Sequence, residues 1–240
     1  MNEISSAQNP KYKRWLSLTE SKGIKKEGLA LVSGEKLVRE YLKESPGTIE
    51  EILLPPKAKH IFPTSFRQTG LSSPLFKAVD ILGTHSPLLV VRVPTLPIWN
   101  HEPPRGLELI VGLGDPSNLG ALLRSAEAFG VTRVILTREC ASPYLPKALK
   151  AAANAAFRLK LATTDSLKEL KVENAFGLDM QGEDLSQFRW PKNCYLILGE
   201  EGQGLPKELP IKKLAIPMKG QLESLNATVA ASIAMYTYRG

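Results

Sequence analysis

Apolar residues recur at two different spacings along this chain, and the spacing changes near residue 105. Beyond that point uninterrupted apolar runs alternate with helical segments. Residues 107–113 (LELIVGL) read as a strand, 118–129 as a helix closed by Gly130, and 131–137 as a second strand. An alanine-rich helix is expected over 143–157, then strands at 175–180, at 194–198 (CYLIL) and at 214–218, the last broken by Pro217. A closing helix over 222–238 repeats Leu225, Val229, Ile233 and Tyr236 at helical spacing, with Ser224, Asn226 and Thr228 at its start. Apolar strands separated by helices imply an α/β fold, a parallel sheet with helices on both faces. Ligands of such sheets bind at the carboxyl ends of the strands.

The first part reads as a smaller α/β unit. Strands are expected at 28–33, 48–54 and 88–93, with a helix over 35–43 burying Leu37, Val38, Tyr41 and Leu42. Residues 62–82 show no clear period, and Phe66, Leu71, Leu75 and Phe76 are its core candidates. Residues 94–105 (PTLPIWNHEPPR) hold four prolines, too many for a helix or central strand, and read as a stiff linker. The expected organisation is therefore a domain over 1–93, a linker over 94–105 and a domain over 106–240.

Composition narrows the class. Of 240 residues 43% are hydrophobic and 23% charged, enough to build a core. The net charge of +7 favours a polyanionic partner. Residues 1–26 hold six Lys/Arg against two Glu. A helix over 9–18, capped by Asn9 with Pro10 in its first turn, alternates Lys11, Lys13 and Arg14 with Tyr12 and Trp15. Cations beside flat rings suit phosphates and unstacked bases. The competing reading is a solvated helix whose Trp15 and Leu18 pack inward. Cys140 and Cys194 lack metal or redox spacing and read as buried free thiols, and three scattered histidines give no metal motif. With no apolar run near eighteen residues and no signal-peptide core, the expectation is a cytoplasmic protein without membrane or metal.

Three loops follow strands. The first, GLGDPSNLGALLR (112–124), fails the dinucleotide fingerprint, because Ser117 stands where a glycine is needed. It also fails the P-loop pattern, since Ala121 follows Gly120. What remains is a turn into a helix, with Asn118 at its start and Arg124 at the border of its apolar face. Arg124 has an ordinary alternative, an ion pair with Glu127 one turn on. The second loop, GEEGQGLP (199–206), has three glycines in six positions, which permits positive φ and close approach of a ligand. The third spans 216–228.

Together DPSNLGALLRSAEAFGV (115–131), LILGEEGQGLP (196–206) and IPMKGQLESLNATVAAS (216–232) resemble the SpoU/TrmH family of RNA ribose methyltransferases, within the SPOUT superfamily. SGEKLVREYL (33–42) is similar to the small αβα domain, akin to a ribosomal-protein RNA-binding fold, of many members. The resemblance implies a C-terminal trefoil knot, a rare exception to unknotted topology, a homodimer, S-adenosylmethionine as cofactor and structured RNA as substrate, rRNA rather than tRNA. Carried over by position, it implies Leu198, Gly199, Gly204, Ile216, Met218 and Leu225 as cofactor contacts. It implies Asn118, Arg124, Glu201, Ser224 and Asn226 as the reaction site.

One departure concerns KAAANAAF (150–157), where relatives often read close to R-A-S-x-G-A. Ala152 replaces the serine and Asn154 the glycine. The rival reading is a non-catalytic RNA-binding or ribosome-assembly protein that retains the knotted fold. The persistence of Asn118, Arg124, Glu201, Ser224 and Asn226 speaks against it.

Overall fold

A computed structural model describes residues 2–58, 62–220 and 224–238. The chain forms two compact units: Met1–Thr95 with Ser142–Asn154, and Leu96–Ala141 with Ala155–Gly240.

In chain order the first unit contains β1 (Asn2–Ile4), α1 (Pro10–Ser17), α2 (Ser21–Glu27), β2 (Leu29–Val32), α3 (Glu35–Glu44), β3 (Ile49–Leu54), β4 (Gln68–Leu71), α4 (Ser73–Val79) and β5 (Leu88–Arg92). Its sheet runs β1-β4-β3-β5-β2, with β1, β4 and β3 parallel and β5 antiparallel to both neighbours. The apolar runs of β2, β3 and β5 are buried, as are Leu71, Leu75 and Phe76. Asn9 caps α1, its side-chain oxygen accepting from the Lys11 N–H at 2.9 Å, and Pro10 opens the helix. Four short elements had no sequence signal. In α2, SKGIKKE, Ile24 is the sole large apolar residue, too few to show a period.

The second unit contains β6 (Leu107–Val111), α5 (Pro116–Ala128), β7 (Arg133–Leu136), β8 (Leu161–Thr163), β9 (Ala175–Asp184), β10 (Cys194–Leu198), β11 (Lys212–Ala215) and α7 (Ala227–Thr237). Between β7 and β8 the chain forms α6 (Pro146–Ala152), which belongs to the first unit. The sheet runs β11-β9-β10-β6-β7-β8 and every pairing is parallel. It buries β6 and β10 end to end, as strands covered on two sides require.

Three differences from the expected elements have physical causes. The alanine-rich helix stops at Ala152, because Ala153 (φ 48°) and Asn154 (φ 62°) turn left-handed. Asn is among the few non-glycine residues that tolerate that backbone. Buried Asn154 also donates to the Leu37 carbonyl at 3.2 Å.

The proline-rich stretch is not a free tether. Trp99 is 3% exposed and packs with Ile110, Ile135 and Tyr195, while its backbone N–H donates to the Thr163 carbonyl at 2.7 Å. Ile98 bridges Thr163 in parallel, so the segment lies along β8 at the sheet edge, where prolines are tolerated.

Finally, α7 starts at Ala227, and the expected start of that helix at 222–223 lies outside the described residues. Its inward face is Thr228, Ala231, Ala234 and Met235. The stripe of Val229, Ile233 and Tyr236 is instead 49%, 36% and 68% exposed. Small residues let α7 approach α5 closely, with the Ser232 hydroxyl donating to Ser125 Oγ at 2.9 Å. Among the described residues no helix is long and apolar enough to cross a membrane.

Charge divides with the units. The first holds sixteen Lys/Arg against nine Asp/Glu, and the second fifteen of each sign, so the whole net charge of +7 belongs to the first.

Candidate active site

The three loops leave the carboxyl ends of β6, β10 and β11, and hydrogen bonds join them. Asp115, rather than Asn118, caps α5: its carboxylate accepts from the Asn118 N–H at 2.8 Å, with Pro116 at the first helical position. The Asp115 N–H donates to Glu201 Oε2 at 3.0 Å, and Asn118 Nδ2 donates to Glu201 Oε1 at 3.0 Å. Glu201 of the second loop therefore binds the first loop through both carboxylate oxygens.

The third loop joins through Asn226. Its Oδ1 caps α7 by accepting from the Thr228 and Val229 N–H groups at 2.9 and 3.3 Å, while its Nδ2 donates to Asn118 Oδ1 at 3.1 Å. The Thr228 hydroxyl donates to the Asn118 carbonyl at 2.9 Å. Asp115 and Thr228 were not among the sequence candidates, although Asp before Pro at a helix start is a recognisable capping signal.

The second loop is drawn tight. Glu200 and Gly204 exchange two backbone hydrogen bonds, 3.1 and 2.8 Å, and Gly204 has φ 70°. A Cβ at Gly199 would lie 2.1 Å from the Gly204 carbonyl oxygen, a backbone atom, so only glycine fits. Leu198 is buried, and its carbonyl accepts from the Gly112 N–H at 2.9 Å. Ile216, Met218 and Leu225 are half-buried. Cys140, after β7, is also near this loop: burial pushes its thiol up to about 12, and the carboxylates of Glu201 and Glu139 add to the shift.

Two reaction-site candidates stand outside the hydrogen-bonded cluster. Ser224 is exposed. Arg124 is also exposed, about 9 Å along the helix axis from Asn118. It makes no hydrogen bond or ion pair with a described residue. The alternative pairing with Glu127 does not form, because Arg158 holds that carboxylate at 2.9 Å.

In α1 the rings of Tyr12 and Trp15 are buried, as is Leu18. Arg14 is committed to Glu27 and Glu50, each at 2.7 Å, and Lys13 donates to Gln8 at 2.6 Å. Lys11 lies 3.8 Å from Glu51 with most of its side chain in solvent. The described residues contain no group of three or more His, Cys, Asp or Glu able to hold a metal.

Comparison with known proteins agrees with this arrangement. The model of the SpoU rRNA Methylase family matches residues 109–236. The chain is 37% identical to ribosomal RNA small subunit methyltransferase G 2 of Syntrophobacter fumaroxidans over 98% of its own length, but it spans only 49% of that protein. It is 34% identical to the 23S rRNA guanosine 2′-O-methyltransferase RlmP of Bacillus subtilis, over 100% of both chains. The AdoMet-bound rRNA methyltransferase of Sinorhizobium meliloti superimposes with a TM-score of 0.78, covering 99% of this chain and 97% of that one, at 20% identity. A parallel sheet whose three carboxyl-end loops are joined by Asn118, Glu201 and Asn226, and a family model that spans all three, place this chain in the SpoU rRNA methylase family.

Proposed function

We propose that this chain transfers the methyl group of S-adenosylmethionine to the 2′-hydroxyl of one ribose in structured RNA, ribosomal RNA rather than tRNA. The observation that carries the reading is the Glu201–Asn118–Asn226 chain of hydrogen bonds, which brings the three family loops to one end of the sheet. The rRNA preference is supported by the N-terminal domain's resemblance to rRNA-modifying members and by the relatives' names, and the reading includes a cytoplasmic location.

The residues present fit the cofactor. Gly199 lets the second loop close on itself, since a side chain there would collide with the Gly204 carbonyl, and in this reading Leu198, Gly204 and the half-buried Ile216, Met218 and Leu225 contact the cofactor. When bound, S-adenosylmethionine supplies an electrophilic sulfonium methyl. The protein's own tasks are to hold the ribose hydroxyl in line and to help its proton leave. Arg124, whose fork of donors has no partner among the described residues, steadies the RNA phosphate and the oxyanion developing at the 2′-oxygen. Asn118 is held from both sides, by Glu201 and Asn226, so that its position is set before the RNA arrives. Ser224 adds a hydroxyl toward the ribose.

The same reading includes a C-terminal trefoil knot, a homodimer, and RNA recognition by the first unit. The knot is supported by chain order: β11 lies at the sheet edge beyond β9, yet α7 returns to pack on α5. The dimer is supported by the uncovered stripe of Val229, Ile233 and Tyr236, extended by Phe129, whose ring meets that of Tyr236 at 6.2 Å. Recognition by the first unit is supported by its share of the charge; of the basic arm Lys11, Lys13 and Arg14, Arg14 is held by Glu27 and Glu50, which leaves Lys11 and Lys13 as its cations toward RNA.

The test is incorporation of radiolabelled methyl from S-adenosylmethionine into transcribed 23S rRNA, 16S rRNA and total tRNA, followed by mapping of the alkali-resistant position. One methylated ribose in rRNA is expected. Label in a base, or none in any RNA, would end the proposal.

A further inference from the structure

The first unit carries all of the molecule's excess positive charge, yet α1 buries its rings and commits Arg14 to two carboxylates. A second place in that unit offers what α1 withholds. At the amino-terminal end of β3 a groove of about 380 Å³ is lined by Ile49, Glu50, Ser65, Phe66, Arg67 and Arg92. The strand is irregular there. Ile49 opposes Val91 and Glu51 opposes Val90, so Glu50 is an extra residue, and a bulge of this kind re-aims a side chain.

The charges in the groove do not cancel. The Glu50 carboxylate, which would repel an anion, is held by Arg14 at 2.7 Å. Arg67 is exposed; its carbonyl accepts from the Ile52 N–H at 2.9 Å, while its guanidinium has no hydrogen bond or ion pair with a described residue. Arg92 is exposed and gives one N–H to the Gly47 carbonyl at 2.8 Å, leaving the other donors of its fork for a ligand. Phe66, half-buried, supplies an aromatic ring beside these two cations.

We propose that this groove binds one unpaired nucleotide of the substrate RNA, with Arg67 and Arg92 on its phosphate and Phe66 stacked on its base. The assignment rests on the RNA-methyltransferase reading for the identity of the RNA. Guanidinium forks match phosphate oxygens in a way that lysine point charges do not. An aromatic ring accepts any base face, so the groove adds affinity with little sequence preference. Its volume lies in the range of small-molecule sites, which suits a single nucleotide better than a duplex. It also places recognition at the opposite end of β3 from α4, on the loop leading into β4, which gave no sequence signal.

The test uses full-length protein with Arg67→Gln, which removes a guanidinium without a partner among the described residues, and Phe66→Leu. The probes are a labelled ten-nucleotide oligouridylate, read by fluorescence anisotropy, and transcribed 23S rRNA, read by methyl transfer. Arg67→Gln is expected to weaken oligouridylate binding about fivefold and to reduce the slope of log Kd against log salt by about 0.7, one single-strand phosphate contact. It raises KM for the transcript and leaves kcat within about twofold. Phe66→Leu weakens binding about tenfold with the salt slope unchanged, as loss of one stacked base requires. S-adenosylmethionine affinity, by calorimetry, stays the same in both. An unaltered salt slope in Arg67→Gln, or wild-type protein with no affinity for the oligouridylate, overturns the groove. Wild-type protein that binds as described but methylates no RNA overturns the methyltransferase reading and leaves the nucleotide site standing.

Discussion

The side-chain amide of Asn226 donates to the side-chain oxygen of Asn118 across 3.1 Å, a bond between residues 108 positions apart. Each amide is fixed from its other end. Asn226 Oδ1 caps α7, and Asn118 Nδ2 is held by Glu201. The start of the last helix thus positions a side chain of the first loop. Asn226→Asp separates the two roles. A carboxylate still accepts from the Thr228 and Val229 N–H groups, and its charge suits a helix start, but it has no donor to offer Asn118. Stability is expected to change by less than about 0.5 kcal/mol, while methyl transfer falls about 100-fold through misplacement of Asn118. Thermal melting and single-turnover transfer measure the two effects separately, and loss of both together would mean that the tie is merely structural.

The Arg124 side chain has no partner among the described residues, and Arg158 holds the Glu127 carboxylate at 2.9 Å. An exposed arginine without a partner contributes little to folding, and alanine is the better helix former. Arg124→Ala should therefore keep stability within about 0.5 kcal/mol of wild type. Transfer should be abolished with S-adenosylmethionine affinity nearly unchanged. Calorimetry beside radiolabel incorporation decides this, and wild-type turnover in the variant removes Arg124 from the reaction.

What was legible in the sequence, and what was not, follows from the physics of each segment. β6, β7 and β10 stood out because strands buried on both faces are uninterrupted apolar runs. Asn118, Glu201 and Asn226 were found through the motifs, and the structure joins them. The buried face of α7 had no clear signal because periodicity weights large side chains, whereas the close approach to α5 selects Thr228, Ala231 and Ala234. The return of α6 to the first unit is a long-range packing choice with no local signature. Arg14 looked like a cation for RNA because Glu27 and Glu50, its partners, are thirteen and thirty-six residues away.

Gly199 offers the sharpest steric test of the cofactor cradle. The Cβ of an alanine there would stand 2.1 Å from the Gly204 carbonyl oxygen and 2.6 Å from the Leu205 nitrogen, both backbone atoms. The Glu200–Gly204 bonds must then open. Gly199→Ala is expected to weaken S-adenosylmethionine binding about 100-fold or more, the loop being displaced by an ångström or so. Calorimetric titration of the folded variant measures it, and unaltered affinity would show that this bend does not hold the cofactor.

The exposed stripe on α7 gives a prediction about assembly. Tyr236, 68% exposed and edge-on to Phe129, lies where a second copy would cover it. Tyr236→Glu places an unpaired charge in that contact, which costs several kcal/mol once desolvated. Light scattering is expected to show wild-type dimers and variant monomers at micromolar concentration. A wild-type monomer, or a dimer that tolerates the glutamate, moves the interface elsewhere.

Acid should act through Glu127. The hydrogen bond from Arg158 holds this carboxyl below its usual value, against the opposing effect of burial. A folded-state pKa below the unfolded one stabilises the protein fully above the unfolded value, about 4.3 for Glu. That contribution disappears as pH falls through the folded value. Both side chains are more than a third or close to a third exposed, so the pair contributes less than about 1 kcal/mol at neutral pH. Glu127→Gln should lower stability by this small amount at pH 7 and not at all once the wild-type carboxyl is protonated. The two curves of urea stability against pH should therefore converge below about pH 4. Curves that stay parallel from pH 7 to pH 3 would mean that the Arg158 contact does not survive in solution.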